Sequence, residues 1–228
     1  MCFHTALSAT PAMLAKRYQK ENSDIQDFSP SYHISAFNHD YYPIITTASE
    51  IQKAQWGLIP YWIKDSEKAV AIQNQTLNAR SESVFTKPSF RGPIRHQRCL
   101  IPVTGFFDWR HEKDKKIPYF ISLRDEEIFS LAGIYDYWKD PSSGILVPTF
   151  SILTTSANEM MAEIHNTNFR MPVILAPTDE IVWLTPTLSE KEIETLAKPF
   201  PTASMQAYPI RNDFIKKSPS DPTILSPR

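Results

Sequence analysis

The chain has 228 residues, of which 42% are hydrophobic and 21% are charged, and its formal net charge is −1 at pH 7. This length and composition are typical of one globular domain, and the balanced charge excludes a uniformly basic nucleic-acid-binding protein, although not a local basic surface. The sequence has 5 glycines and contains neither phosphate-binding motif, GxGxxG or GxxxxGKS/T.

The N-terminus lacks the basic and then apolar segments of an export signal, and no stretch approaches the roughly 18 apolar residues that span a membrane. We therefore expect a cytoplasmic protein that does not contact membranes. Its two cysteines, Cys2 and Cys99, are expected to be free thiols in a reducing compartment.

The first predicted element is a helix from Pro11 to about Lys20, with Thr10 as its N-cap. Residues 21–50 mix turn-forming residues with tyrosine and isoleucine, which predicts loops and short strands. Enrichment in β-branched and aromatic residues then predicts four strands. They are Cys99–Val103, Tyr119–Leu123, Ile128–Ile134 and Thr149–Thr154.

Two capping boxes predict later helices, one from Ser156–Glu159 towards His165 and one from Ser189–Glu192 to about Lys198. Between them, Met171–Leu175 is a predicted short strand.

The order of elements lacks regular βαβ alternation and predicts an α+β fold. We expect a single compact domain over residues 1–216, with a curved, largely antiparallel, barrel-like sheet and flanking helices. Residues 217–228 are rich in proline and serine and are predicted to form a flexible tail.

Cys2 is the first candidate for chemistry, because removal of Met1 would make it the N-terminal residue. It would then carry an amine with a pKa near ~8 beside a thiol with a pKa near ~8.5. The amine can condense with an aldehyde to an imine, and the thiol can add to the same carbon to close a thiazolidine ring. The alternative is a small buried residue, which is the assignment for Cys99 in RCLIPV.

Asp108 lies between two aromatic residues in the segment GFFDWRHEKDKK. Large aromatic neighbours often remove a carboxylate from water, which raises its pKa and suits proton transfer. A strand residue that faces solvent would show the same pattern, so both interpretations stay open. His165 is likewise either a proton-transfer residue or a histidine stabilised by the dipole of its helix.

Asn78, Arg80 and Glu82 lie close together in NQTLNARSES. They form either part of a site or a turn before a solvated helix. Glu82 is expected to have a structural role and to pair with Arg80.

Basic residues are concentrated between positions 87 and 116. This stretch has 8 lysines and arginines, Arg91 and Arg95 among them, compared with 3 acidic residues. In WGLIPYW, Trp56 is assigned to the core and Trp62 to the surface, where it could stack on a base. The basic residues between positions 87 and 116 predict either a DNA-binding surface or a solvated basic loop. No metal site or cofactor is predicted, because the histidines lack ligand spacing and the sequence has no HExxH or CxxC motif.

Five segments in chain order resemble the SRAP family, the SOS response-associated peptidases, over nearly the whole chain except the tail. They are the initial MC, WGLIPYW, LNARSES, RCLIPVTGFFDW and IHNTNFRMPVIL. The resemblance implies a compact α+β domain that crosslinks covalently to abasic sites in single-stranded DNA. It implies no cofactor, and we expect a monomer.

The resemblance also implies roles for individual residues. Cys2 matches the crosslinking nucleophile, Asn78 the asparagine near the reacting carbon, and His165 the histidine that helps to open the sugar ring. Arg80 matches an arginine that faces DNA phosphate, and Arg170 is counted with Trp62, Arg91 and Arg95 among the DNA-binding residues.

This sequence departs from the family pattern at three places. Phe3 and His4 follow the cysteine where the family has Gly-Arg, and Asp108 replaces the usual glutamate, which is about 1.5 Å longer. The spacing from His165 to the RMP motif is also longer than in many members.

The predicted function is therefore crosslinking through Cys2, Asn78, Asp108 and His165, which would protect abasic sites during the DNA damage response. Two alternatives stay open. One is a thiol or N-terminal-nucleophile peptidase, with lyase or self-processing activity, and the other is a non-catalytic single-stranded DNA-binding protein in which Cys2 is idle.

Overall fold

The computed structural model describes residues 2–228, and the predicted removal of Met1 concerns a residue outside this range. The strands are β1 His4–Leu7, β2 Ser31–Ser35, β3 Tyr41–Ile44, β4 Gln52–Trp56, β5 Asn78–Arg80, β6 Arg98–Val103, β7 Gly105–Glu112, β8 Lys115–Leu123, β9 Phe129–Lys139, β10 Leu146–Ser156, β11 Arg170–Pro172, β12 Ile174–Leu175 and β13 Met205–Pro209. The helices are α1 Pro11–Tyr18, α2 Ser66–Gln75, α3 Pro93–His96, α4 Glu159–Ile164, α5 Pro177–Leu184 and α6 Glu190–Leu196.

The strands form two sheets. The first has the order β13-β8-β7-β1-β2, and the second has the order β12-β9-β10-β4-β3, with β5 and β11 also paired to β10 and β6 to β9. All these strand pairs are antiparallel except β10 with β4 and β10 with β5. The α+β fold and the largely antiparallel pairing are confirmed.

The expected barrel-like sheet is replaced by these two sheets, and neither closes into a barrel within residues 2–228. The chain passes from one sheet to the other between β6 and β7, where Thr104 is the single linking residue. The Thr104 hydroxyl accepts a hydrogen bond from the backbone N–H of Ser8 at 3.2 Å, which ties this crossing to the segment after β1. The crossing matters for the site, because β7 begins directly after Thr104 and includes Asp108.

The core contains the residues that the sequence assigned to it. Trp56 is 1% exposed, and its indole N–H donates to the Leu77 carbonyl at 2.9 Å. Cys99 is fully buried in the same cluster, and both assignments are confirmed. A second, smaller cluster contains Phe107 and Phe214, whose stacked rings lie 4.9 Å apart.

The predicted helix caps are confirmed at two of three places. The Thr10 hydroxyl accepts from the N–H of Met13 at the start of α1, and Ser189 forms the predicted capping box of α6. The cap of α4 is Asn158 rather than Ser156, because Ser156 is still the last paired residue of β10. None of the helices in residues 2–228 is long and apolar enough to cross a membrane.

The predicted strand Met171–Leu175 is divided in two. β11 pairs with β10, whereas β12 pairs with β9, the neighbour of β10 in the same sheet. Val173 makes the transition, since its N–H bonds to the Leu153 carbonyl and its own carbonyl accepts from Ala132.

Residues 217–228, for which the sequence predicts a flexible tail, contact the domain in the structure. Ile224 is 1% exposed within the second cluster, and the Tyr208 hydroxyl donates to the Leu225 carbonyl at 2.8 Å. Two apolar residues therefore anchor a segment whose overall composition is that of a loose arm. The division into a domain over 1–216 and a tail stays a prediction.

Gly105, at the start of β7, lies where a side chain has no room. A Cβ atom there would be 2.2 Å from the Phe120 ring and 2.8 Å from the Ile121 carbonyl oxygen. We expect Gly105→Ala to lower the free energy of unfolding by about 2–3 kcal/mol, because the strand or the ring must move. Urea unfolding measures this loss. Gly92→Ala is the control, since a Cβ there meets nothing within 4 Å, and equal losses in the two variants would contradict the steric argument.

Candidate active site

Four of the predicted site residues come from four separate parts of the chain. Cys2 lies two residues before β1, Asn78 begins β5, Asp108 lies in β7, and His165 is the C-cap of α4. Pairing of β1 with β7 and packing of α4 against β7 bring three of these elements together, and a hydrogen bond from Asn78 to Cys2 joins β5 to them.

Cys2 is held by Asn78. The Asn78 side-chain amide donates to the Cys2 carbonyl oxygen at 3.0 Å, across 76 positions of sequence. The Asn78 Oδ1 atom is buried and has no hydrogen-bond partner among the described residues. A buried acceptor of this kind is costly unless a further group completes it, so the amide oxygen is suited to a donor on Cys2 or on a ligand.

The Cys2 thiol is 1% exposed, and its environment keeps it protonated. Burial, together with the nearby Asp108 carboxylate, raises the pKa of the thiol to about 12. Cys2 therefore does not present a thiolate at neutral pH, which distinguishes it from the activated cysteines of thiol enzymes.

Asp108 and His165 form a buried pair. Asp108 Oδ2 lies 3.6 Å from His165 Nδ1, and the two side chains are each 7% exposed. Asp108 Oδ1 accepts from the N–H of Trp109 at 2.8 Å, while burial raises the pKa of the Asp108 carboxyl. The desolvation expected from the flanking aromatic residues is observed.

The orientation of His165 follows from its neighbours. Its Nδ1 lies 3.0 Å from the Arg170 carbonyl oxygen, which can only accept, so Nδ1 carries the hydrogen. In the neutral ring the lone pair is then on Nε2.

A pocket of about 510 Å³ opens over this pair. It has the size of a small-ligand site. Its lining residues are Phe3, His4, Asp108, Trp109, His111, Lys116, His165, Thr167 and Asn168. A cavity of about 540 Å³ elsewhere lies between α1 and α5, but it includes none of the predicted site residues.

Motif reasoning missed the pair formed by His4 and His33. His4 Nδ1 lies 2.9 Å from His33 Nε2, and the Trp109 ring packs edge-on against His4 with ring centroids 5.0 Å apart. Burial and the second histidine lower the pKa of His4 to about 4. His4 therefore brings no positive charge at neutral pH to the place where the resemblance implies an arginine. No local sequence signal joins two histidines that are 29 positions apart.

We expect the free energy of unfolding to fall as the pH falls from about 6.5 to about 4. The pKa of His4 is lower in the folded than in the unfolded chain, so the unfolded chain binds the additional proton in this window and acid favours unfolding. The part of the loss due to His4 should be on the order of 2 kcal/mol between about pH 7 and about pH 4.5, measured with urea. His4→Gln should lose less unfolding free energy over this pH range than wild type does. His96→Gln, at an exposed histidine, should lose as much as wild type. Equal losses in all three chains would contradict the assignment.

Asn166 is a second residue that the motifs did not reveal. Its side chain accepts from the N–H of His111 at 3.1 Å and donates to the His111 carbonyl at 2.9 Å. These two bonds attach the segment after α4 to β7, and so hold His165 against Asp108.

Arg170, predicted to bind DNA, is directed inward instead. Its guanidinium forms an ion pair with Glu82, and Nη2 donates to the Thr154 carbonyl at 2.7 Å. Glu82 therefore pairs with Arg170 and not with Arg80. Since the Arg170 carbonyl accepts from His165, the ion pair serves to position the histidine.

The other predicted DNA-binding residues lie at the surface. Arg80 is exposed at the end of β5, and Trp62, with 44% exposure, shares a cavity of about 300 Å³ with Arg91. Arg95 forms an ion pair with Glu190, in which its guanidinium lies 2.5 Å from the carboxylate. The surface position predicted for Trp62 is confirmed.

Comparisons with known proteins give consistent matches. Residues 1–216 match the family described as SOS response associated peptidase (SRAP). The chain is 37% identical over 188 residues to Abasic site processing protein YoqW of Bacillus subtilis (strain 168), covering 81% of this chain and 80% of that protein. Abasic site processing protein YoaM of the same organism is also 37% identical over 188 residues, covering 81% and 79%. An X-ray crystal structure of a protein from Bacteroides thetaiotaomicron has a TM-score of 0.98 and 49% identity, over 100% of both chains.

Proposed function

Because this chain belongs to the SOS response associated peptidase (SRAP) family, as its motifs predict, we propose that it processes abasic sites in single-stranded DNA by a covalent crosslink through Cys2. Two of its relatives carry the name abasic site processing protein. The observation that carries the proposal is the bond from Asn78 to Cys2, beside the pocket that contains Asp108 and His165.

The reaction needs the Cys2 nitrogen as a free amine. While Met1 is attached, that nitrogen is an amide whose lone pair is delocalised into the carbonyl group. After Met1 is removed, the amine attacks C1′ of the open aldehyde form of the abasic sugar, and loss of water gives an imine. The thiol then adds across the C=N bond, so that an S–C1′ bond forms, the thiol proton ends on nitrogen, and a thiazolidine ring closes. One water leaves overall, and no cofactor is needed.

The pKa of the thiol supports the amine as the first nucleophile. A thiol whose pKa is raised to about 12 is protonated at neutral pH, whereas an N-terminal amine ordinarily titrates near ~8. Once the imine has formed, the thiol sulfur lies three bonds from its nitrogen, through Cα and Cβ. Ring closure is then intramolecular and needs no high thiolate concentration.

Asp108 and His165 are assigned to proton transfer. His165 moves a proton at the sugar ring oxygen, which favours the open aldehyde. Asp108, with its raised pKa, accepts a proton from the attacking amine and returns it when water leaves. Asn78 positions Cys2 through its carbonyl, and its buried Oδ1 is available to accept from the amine or the sugar.

Surface groups support single-strand binding. Trp62 and Arg91 line one cavity, which combines an aromatic face with a cation, and Arg80 is exposed nearby in the chain at the end of β5. Such binding depends strongly on salt. We propose that the protein acts as a monomer in the cytoplasm, associates with the nucleoid when bound to DNA, and protects the lesion during the DNA damage response.

A thiol peptidase is the rival that the family name suggests. It would need a thiolate, and the raised pKa of Cys2 argues against it.

The deciding experiment incubates the purified protein with a single strand that carries one abasic site, and with the same strand intact. We expect an adduct that survives denaturation on the abasic strand alone, with the summed mass of protein lacking Met1 and DNA less one water. Cleavage of an unrelated peptide without an adduct would favour the peptidase. Equal, fully reversible binding to both strands would favour a non-catalytic binding protein.

A further inference from the structure

Phe37 is a large apolar side chain that faces water beside the candidate site. It is 54% exposed, and its ring contacts Phe3 with centroids 5.2 Å apart and planes inclined at 41°. Phe3 is half-buried and packs against the main core. We call the two rings, Phe3 and Phe37, the aromatic platform.

The turn that carries the exposed ring is fixed by hydrogen bonds. It spans Ala36–Asn38, and the Ala36 N–H donates to the Phe3 carbonyl at 2.9 Å. The next residue, His39, donates its backbone N–H to the Ala36 carbonyl at 3.2 Å and its Nδ1–H to the Trp56 carbonyl at 2.7 Å. The ring is therefore held on a rigid turn, so binding of a ligand over it costs little backbone entropy.

The aromatic platform lies at the lip of the pocket over Asp108 and His165. Phe3 lines that pocket and directly follows Cys2 in the chain. Among the described residues that line the pocket, Asp108 is the only carboxylate, whereas Lys116 brings a positive charge. A phosphodiester chain can therefore cross this lip without strong repulsion.

We propose that the aromatic platform stacks the nucleobase next to the abasic sugar, in place of the base that the lesion lacks. This inference rests on the proposed function, because it takes the sugar to lie at Cys2. A base beside an abasic site has lost one of its stacking neighbours, and the face of Phe37 replaces that neighbour. Since every base has a π-face, the platform accepts any sequence around the lesion.

The test uses strands with tetrahydrofuran in place of the abasic sugar, which cannot open to an aldehyde and therefore report reversible binding alone. One strand has bases on both sides of the tetrahydrofuran, and two others lack the base on the 5′ or the 3′ side. We expect Phe37→Ala to weaken binding of the first strand about tenfold in fluorescence anisotropy. On the strand that lacks the stacked base, the variant and wild type should bind equally.

Three further variants separate stacking from other effects. Phe37→Trp should bind like wild type, and Phe37→Leu should behave like Phe37→Ala, because it keeps apolar area but has no ring face. Ile181→Ala is the control, since Ile181 is 79% exposed on α5 and should not affect binding. Wild-type affinity of Phe37→Ala for every strand would overturn the inference, and so would an equal loss on all three strands.

Crosslinking of the aldehyde strand by the wild-type protein is measured separately. If the wild-type protein crosslinks normally but Phe37 has no effect on reversible binding, the inference about the platform is wrong and the proposed chemistry stands. An absent crosslink with base-dependent binding overturns the proposed chemistry and supports the platform.

Discussion

Cys2→Ala should form no denaturation-resistant adduct with an abasic strand, whereas its reversible binding to that strand should be unchanged. The substitution removes the thiol, so an imine can form but no thiazolidine can close, and the imine hydrolyses. Cys2→Ser should give at most a labile adduct, because a hydroxyl closes a less stable ring. Gel analysis after denaturation and intact mass measurement report the result.

Two controls limit this prediction to the N-terminal group. Cys99→Ala removes the other thiol, which is fully buried in the core, and should leave the adduct intact. A chain with a tag ahead of Cys2 keeps the thiol but makes its nitrogen an amide, and it should form no stable adduct. A stable adduct with Cys2→Ala, or equal yields from tagged and processed chains, would exclude the thiazolidine mechanism.

Asp108→Asn should slow crosslinking about 100-fold, because it keeps the shape of the side chain but removes the proton acceptor. Asp108→Glu should retain more of the crosslinking rate than Asp108→Asn does, because glutamate keeps the carboxylate on a longer side chain. Single-turnover crosslinking at saturating protein measures both variants. Asp114→Asn, at an exposed acidic residue after β7, is the matched control and should react at the wild-type rate.

Stability distinguishes a chemical role of Asp108 from a structural one. Burial raises the pKa of the Asp108 carboxyl above its unfolded value, so stability falls as the pH rises from the unfolded to the folded pKa and stays lower above it. Asp108→Asn should therefore unfold at the same or a higher urea concentration than wild type at neutral pH. A variant that crosslinks at the wild-type rate would show that Asp108 is a bystander. A slow variant that is also unfolded would point to a structural role.

The location of the site residues in secondary structure could be predicted to a useful degree. The aromatic neighbours of Asp108 gave its burial as one of two interpretations, and a capping signal predicted the helix that ends at His165. The strand β7 that carries Asp108 was not among the predicted strands. The cap itself was displaced from Ser156 to Asn158, because strand pairing of Ser156 with Arg170 overrides its local capping tendency.

Arg170 shows what motif reasoning does not indicate. An arginine in a family of DNA-processing proteins suggests a phosphate contact, but nothing local indicates whether its guanidinium faces water or the interior. Pairing of β11 with β10 places it over Thr154, and Glu82, whose side chain is exposed, then forms an ion pair with the largely buried guanidinium. Its partner is 88 positions away, so only the register of the strands decides the choice.

The sequence by itself determined the features that depend on position, composition and local pattern. These are the cysteine that follows Met1, the order of the family motifs, the α+β class, the buried Trp56 and the exposed Trp62. The tertiary structure decided which distant groups meet: Asn78 with Cys2, His4 with His33, and Phe3 with Phe37. The physical reason is that propensities and periodicity act over a few residues, whereas these contacts depend on strand register and on the packing of elements far apart in the chain.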